Sequence, residues 1–187
     1  AARPAPPPTA PAVAAERTRA RILAAVEALP AGREALAGVR RHRTRLALRG
    51  SAAAPGWQRL DRAATTMTQL SHRLTGPAAP AALEAAVAQR SLQELTDRVV
   101  AVERALRFAP ADSREALRTA HRELMERFET GVAAYERLVA AAAAYVAEEG
   151  RTGPVDPAVD RLAEATDLLR GVAAGLAELR TVNEQVR

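Results

Sequence analysis

The segment LQELTDRVVAVERAL, residues 92–106, decides the fold, because its larger apolar residues recur at intervals of three and four. On an α-helix they fall along one side, in the heptad pattern of a coiled-coil seam: Leu92, Leu95, Val99, Val102 and Leu106. No segment of the chain alternates apolar and polar residues with the period of two that is typical of strands. The segment therefore predicts a long helix that packs against other helices, with Leu95 and Val99 buried.

Three further stripes with helical spacing surround this segment. They begin at Trp57, Leu117 and Leu162. Turn signals rich in Pro, Gly and Asp separate the stripes, at 75–80, 108–112 and 150–157. Helices joined by connections this short pack as antiparallel neighbours. The sequence therefore predicts an all-α fold, an elongated antiparallel helical bundle with coiled-coil-like seams over residues 57–187.

Small residues dominate the apolar composition. Apolar residues make up 48% of the chain, most of them alanine, and aromatic residues only 3%. Because alanine favours helix but buries little surface, stability must come from long helices and from their Leu and Val seams. We expect small residues on the seams, among them Gly131 and Ala142, to let neighbouring helix axes approach closely.

The residues before the bundle divide into two parts. Residues 1–12 are rich in Pro and Ala and are predicted to form a flexible, extended tail. Residues 13–56 are predicted to contain basic helical segments and a flexible break, RGSAAAPG, at 49–56. Whether residues 13–48 pack on the bundle stays open from the sequence.

The positive charge of the chain is concentrated in its first third. The net charge is +5, but residues 1–62 carry 12 arginines and 4 carboxylates, whereas residues 63–187 carry 15 arginines and 18 carboxylates. Five arginines lie within the stretch GVRRHRTRLALRG and are called the basic cluster here: Arg40, Arg41, Arg43, Arg45 and Arg49. On a helix the first four surround the axis, so the segment is expected to be exposed.

The basic cluster has several possible partners. No aromatic residue lies among its arginines to stack on a base, and no recognised DNA-binding motif encloses it, which argues against specific nucleic-acid readout. An anionic membrane surface or an acidic partner suits it better, since each arginine near anionic lipid contributes about 1 kcal/mol. A solvated helix without a partner is the remaining alternative.

Nothing in the sequence indicates catalysis. The chain has no cysteine, and His42, His72 and His121 are scattered over different segments without the spacing of a metal-binding motif. No phosphate-binding or nucleophile motif is present. We therefore predict a protein without enzymatic activity, metal site, cofactor or small-molecule substrate. The longest apolar run, LVAAAAAYVA at 138–147, is shorter than the roughly 20 residues that a spanning helix needs.

Several segments together resemble a known family. LRGSAAAPGWQRLDRA (48–63), LQELTDRVVAVERAL (92–106), AAYERLVAAAAAYVA (133–147) and AVDRLAEATDLLRGVAAGLAELR (158–180) resemble PspM-type membrane proteins of the actinobacterial phage-shock envelope-stress system. The similarity covers about residues 45–187. Those proteins have a short cytoplasmic start, a hydrophobic membrane segment and a helical cytoplasmic domain, and their implied role is to anchor or modulate PspA, a membrane-remodelling coiled-coil protein.

The resemblance implies that this chain is the soluble helical part of such a protein. Its expected place is the cytoplasmic face of the cell membrane, with any membrane anchor outside this chain and the basic cluster between anchor and bundle. Its expected function is that of a non-enzymatic adaptor that binds a helical partner such as PspA. Two alternatives stay open, a soluble coiled-coil structural or regulatory module without membrane contact and a basic nucleic-acid-associated protein.

Overall fold

The computed structural model describes residues 44, 46, 48–149 and 156–185 of the chain. Over these residues the chain forms α-helices and two short 3₁₀ turns, and no strand. The helices are α1 (Ala54–Leu70), α2 (Ala79–Phe108), α3 (Ala111–Glu149) and α4 (Asp156–Gln185), and the 3₁₀ turns are Ser71–Arg73 and Gly76–Ala78. The prediction of an all-α helical bundle is confirmed.

The chain divides into two compact units, Ala1–Arg49 and Gly50–Arg187, and all four helices belong to the second. The predicted Pro/Ala-rich tail and nearly all of the predicted basic helical segments lie outside the described residues. At the end of the first unit, the Leu48 N–H donates to the Thr44 carbonyl oxygen at 2.9 Å, as in a helical turn.

Consecutive helices of the second unit run antiparallel. α2 and α3 form a central hairpin, in which Glu103 lies against His121 and Leu92 against Gly131. α1 packs against both helices of this hairpin, and α4 does the same. α3 is 39 residues long and spans about 58 Å, which makes it the longest helix of the bundle.

The seam of α2 is longer than the heptad segment at 92–106. It begins in an alanine-rich part of the helix and continues without a change of spacing through buried residues: Ala81, Ala85, Ala88, Leu92, Leu95 and Val99. Pro80 lies in the first turn of α2, where the missing N–H breaks no intrahelical hydrogen bond. The predicted burial of Leu95 and Val99 is confirmed, whereas Val102 and Leu106 are half-buried.

The reduced burial at this end follows from where α1 begins. Gly56 of α1 lies directly on Phe128 of α3, since a Cβ atom at Gly56 would be 2.6 Å from Phe128 Cε1. The apolar stripe of α3 is buried from Phe128 onward, but Leu117 and Leu124 are only half-buried. The α2–α3 hairpin therefore extends beyond the start of α1, and its far end has fewer neighbours among the described residues.

Candidate partner-binding surfaces

The structure describes one member of the basic cluster. Arg49 is exposed, and its N–H donates to the Leu46 carbonyl oxygen at 3.2 Å. Gly50 follows with a φ of 79°, a left-handed conformation that glycine adopts without the steric penalty of a Cβ atom. The other four arginines, Arg40, Arg41, Arg43 and Arg45, lie outside the described residues.

Glu103 holds the chain where it begins the second unit. Its Oε1 atom accepts a hydrogen bond of 2.8 Å from the Ala52 N–H and lies 3.1 Å from His121 Nε2. Burial by itself would raise the pKa of the Glu103 carboxyl, but hydrogen bonds from Ala52, Ser51 and His121 outweigh it and hold that pKa below its usual value. One carboxylate thus joins the start of α1 to both helices of the hairpin.

Arg59 connects α1 to α3 in a second place. Its Nε donates to Glu136 Oε1 at 3.0 Å, its Nη2 donates to the other oxygen of the same carboxylate, and its Nη1 donates to Glu129 Oε2 at 2.9 Å. This fork geometry matches two nitrogens to two oxygens, which makes the pair directional. The three side chains are more than a third exposed, so they fix the position of α1 more than they stabilise the fold.

α3 and α4 leave an open groove between them on the outer side of the bundle. The groove has a volume of about 550 Å³ and is lined by Arg137, Ala141, Arg161, Glu164, Ala165 and Leu168. Its alanines are too small to fill it, and Leu168 keeps 43% of its surface exposed. At one side Arg161 Nη2 donates to Glu148 Oε1 at 2.8 Å, which holds the two helices together.

Along α4 the surface beside the groove continues with small residues. Glu164, Leu168, Gly171 and Gly175 follow each other at intervals of four, three and four, so they form one row along the helix, called the α4 row here. All four are exposed, and a Cβ atom built at Gly171 or Gly175 would have no atom within 4 Å in front of it. The sequence did not predict this row as a surface, although its heptad spacing beside the buried Leu162 and Leu169 is a signal of it.

The end of the α2–α3 hairpin presents an exposed aromatic ring. Phe108 is the last residue of α2 and is 88% exposed. Arg104 lies one turn before it and Arg107 directly before it, both exposed. We call these three residues, with the loop at Ala109 and Pro110, the hairpin tip. The sequence predicts a helix break here, but it predicts no role for the ring.

Among the described residues, no group of three or more His, Asp or Glu side chains is arranged to hold a metal ion. His72 is exposed in a 3₁₀ turn, and His121 is engaged by Glu103. Within the same part of the chain, no helix combines the length and the apolar character needed to cross a membrane. The groove, the α4 row and the hairpin tip are candidate surfaces for contact with macromolecules.

Comparison with known proteins identifies the family of the chain. No curated protein and no solved structure was found to match the chain. The model of the Rv2743c family matches residues 7–179, which covers nearly the whole chain, including the basic cluster and all of the bundle except the end of α4. The chain belongs to the Rv2743c family, an actinobacterial family of proteins.

Proposed function

We propose that this protein is a non-enzymatic adaptor of the actinobacterial phage-shock envelope-stress response. It works at the cytoplasmic face of the membrane and binds a helical partner such as PspA. The observation that carries the proposal is the open groove between α3 and α4, which continues into the α4 row. The resemblance of residues 45–187 to PspM-type proteins supplies the biological setting, and membership of an actinobacterial family is consistent with it.

The chemistry of the groove suits an amphipathic helix. A helix docks in a groove through apolar residues spaced at three and four, and it approaches most closely where the receiving surface is made of small residues. Ala141 and Ala165 form such a floor, Gly171 and Gly175 extend it, and Leu168 offers an apolar side chain of its own. Exposed Arg137 at the edge of the groove favours a partner helix that carries a carboxylate beside its apolar stripe.

The basic cluster supplies the membrane contact in this proposal. Arg40, Arg41, Arg43 and Arg45 bind anionic headgroups while the bundle presents its groove to the partner. Their replacement by Gln is expected to lower affinity for anionic vesicles by up to about a thousandfold, since each arginine contributes about 1 kcal/mol. Binding by wild type should weaken as salt is raised. Tighter binding to duplex DNA than to anionic vesicles at the same salt would instead favour the nucleic-acid alternative.

The partner site is tested by substitution at the groove. Leu168→Glu puts a charge into the apolar contact, and Leu83→Glu is the matched control, because Leu83 is another exposed leucine, on α2. We expect Leu168→Glu to weaken binding of purified PspA by about tenfold or more, as for a residue central to an interface, and Leu83→Glu to leave it unchanged. Circular dichroism should be the same for both variants. Equal affinity of all three proteins would refute the groove as the partner site, and no binding by wild type would refute the proposed adaptor function.

A further inference from the structure

The hairpin tip is an exposed apolar position at the end of a helical hairpin, next to a loop that is held by hydrogen bonds. Single exposed apolar residues are normal on protein surfaces and need no explanation by themselves. Phe108, however, is 88% exposed at the far end of the hairpin, beyond the start of α1. The Arg114 Nη2 atom donates to the Ala109 carbonyl oxygen at 2.9 Å, and the Ser113 N–H donates to the Pro110 carbonyl oxygen at 3.2 Å. These bonds hold the two-residue loop that directly follows the exposed ring.

The charge around the tip is positive. Residues 101–122 carry five arginines and three carboxylates, whereas residues 146–160, at the opposite end of the bundle, carry one arginine and four carboxylates. Two of the tip carboxylates are already engaged, Glu103 by His121 and Glu115 by Arg118. Arg104 and Arg107 stay exposed beside the phenyl ring. The two ends of the bundle therefore favour surfaces of opposite charge.

The tip lies at the end where the chain begins the bundle. The Ala52 N–H donates a hydrogen bond to Glu103, which lies five residues before Phe108, about 7.5 Å along α2. Arg49, the last member of the basic cluster, precedes Ala52 by only three residues, a reach of about 11 Å at most. The second unit therefore begins at the same end of the bundle as the hairpin tip.

We propose that the hairpin tip is a second membrane-contact site, at which Phe108 enters the interfacial region of an anionic bilayer while Arg104 and Arg107 bind its headgroups. An aromatic ring flanked by arginines suits this boundary, because the ring leaves water and the guanidinium groups stay with the phosphates. The inference rests on the proposed membrane location and adds a second contact site to it. With the tip on the bilayer, the long axis of α2 stands away from the membrane and the groove faces the cytoplasm.

Fluorescence of the full chain tests the position of residue 108 directly. Phe108→Trp places a reporter at the tip, and Leu83→Trp is the control, about 37 Å away along α2. The native Trp57 is only 5% exposed, so lipid does not reach it. With vesicles of equal parts phosphatidylglycerol and phosphatidylcholine carrying brominated acyl chains, we expect a blue shift and quenching for Trp at 108 and neither at 83. Bound protein with the same signal at both positions would overturn the inference.

The arginines are tested by affinity. Arg104→Gln with Arg107→Gln should weaken binding to the same vesicles by up to about thirtyfold, while Arg62→Gln with Arg90→Gln, which removes two exposed charges elsewhere, should have less effect. If the basic-cluster variant loses binding but neither tip experiment responds, the tip inference fails and the proposed membrane location stands. If the wild-type protein does not bind anionic vesicles, both the tip inference and the proposed membrane location are wrong. Partner binding at the groove is tested by a separate experiment.

Discussion

Gly131 of α3 lies directly against Leu92 of α2, because a Cβ atom at position 131 would overlap Leu92 Cδ2 and would also lie 3.6 Å from Val172 Cγ1. Leu92 is 1% exposed, so its side chain would have to shift within the core to make room for a methyl group. The absence of a side chain at one residue thus brings α2, α3 and α4 together at the middle of the core. The sequence-based expectation of close helix approach at Gly131 agrees with this contact.

Gly131→Ala is expected to lower the free energy of unfolding by about 1–3 kcal/mol, as added methyl groups do in a packed core. Gly171→Ala is the matched control, because it is also a helical glycine but has open space in front of it. The control should stabilise the protein by up to about 1 kcal/mol through the higher helix propensity of alanine. Urea denaturation measures both. Equal effects of the two substitutions would contradict the close packing at Gly131.

Leu95→Ala should cost about 2–5 kcal/mol of stability, because Leu95 is 3% exposed in the middle of the α2 seam. Leu106→Ala removes the same atoms from the same seam, but at a half-buried position near the hairpin tip. Leu106→Ala should therefore lower the free energy of unfolding clearly less than Leu95→Ala does. A change within about 0.5 kcal/mol for Leu95→Ala would mean that the seam faces water rather than the core.

Arg59 and Glu136 should show a measurable coupling energy. The pair is bidentate but more than a third exposed, so a double-mutant cycle with Arg59→Ala and Glu136→Ala is expected to give about 1 kcal/mol or less, which falls as salt is added. With lysine in place of Arg59, the coupling energy with Glu136 should be smaller, because an ammonium group cannot match both carboxylate oxygens. Full restoration by lysine would show that charge alone, and not the fork geometry, connects α1 to α3.

Glu103 should make stability depend on pH in the acid range. Its folded-state pKa is held below the unfolded value of about 4.5, so its stabilising contribution is complete above that value and is lost as the pH falls through the lower folded-state pKa. Glu136 contributes with the same sign, since hydrogen bonding and the charge of Arg59 lower its pKa. Denaturation curves of Glu103→Gln should therefore show a smaller loss of stability below about pH 4.5 than those of wild type. An unchanged acid slope would show that the carboxylate is not held in this way.

Much of the bundle could be predicted from the spacing of large apolar residues. The stripes that begin at Trp57, Leu92 and Leu162 are buried over most of their length, as expected. The first half of the α2 seam was not recognised, because alanines such as Ala85 bury the same side of the helix but give only a weak hydrophobic signal. The half-burial of Leu106 could not be predicted either, since it depends on where α1 begins along α3.

The candidate surfaces depend on packing that a sequence does not reveal. Gly131 and Gly175 look alike in sequence, yet one is covered by Leu92 and the other has open space in front of it. Arg59 and Glu136 are separated by 77 positions along the chain, so local spacing cannot pair them. The exposure of Phe108 likewise follows from the length by which the hairpin extends past α1.

The central claim, that the α3–α4 groove receives a helix of a partner protein, is tested most directly by site-specific crosslinking. A photoreactive side chain at position 168, within the groove, is compared with the same group at position 83, which is also exposed but lies on α2. With purified PspA and the full chain, we predict a crosslink from position 168 to an amphipathic helix of PspA and none from position 83. Crosslinks of equal yield from both positions, or none from position 168 under conditions in which the two proteins bind, would contradict the claim.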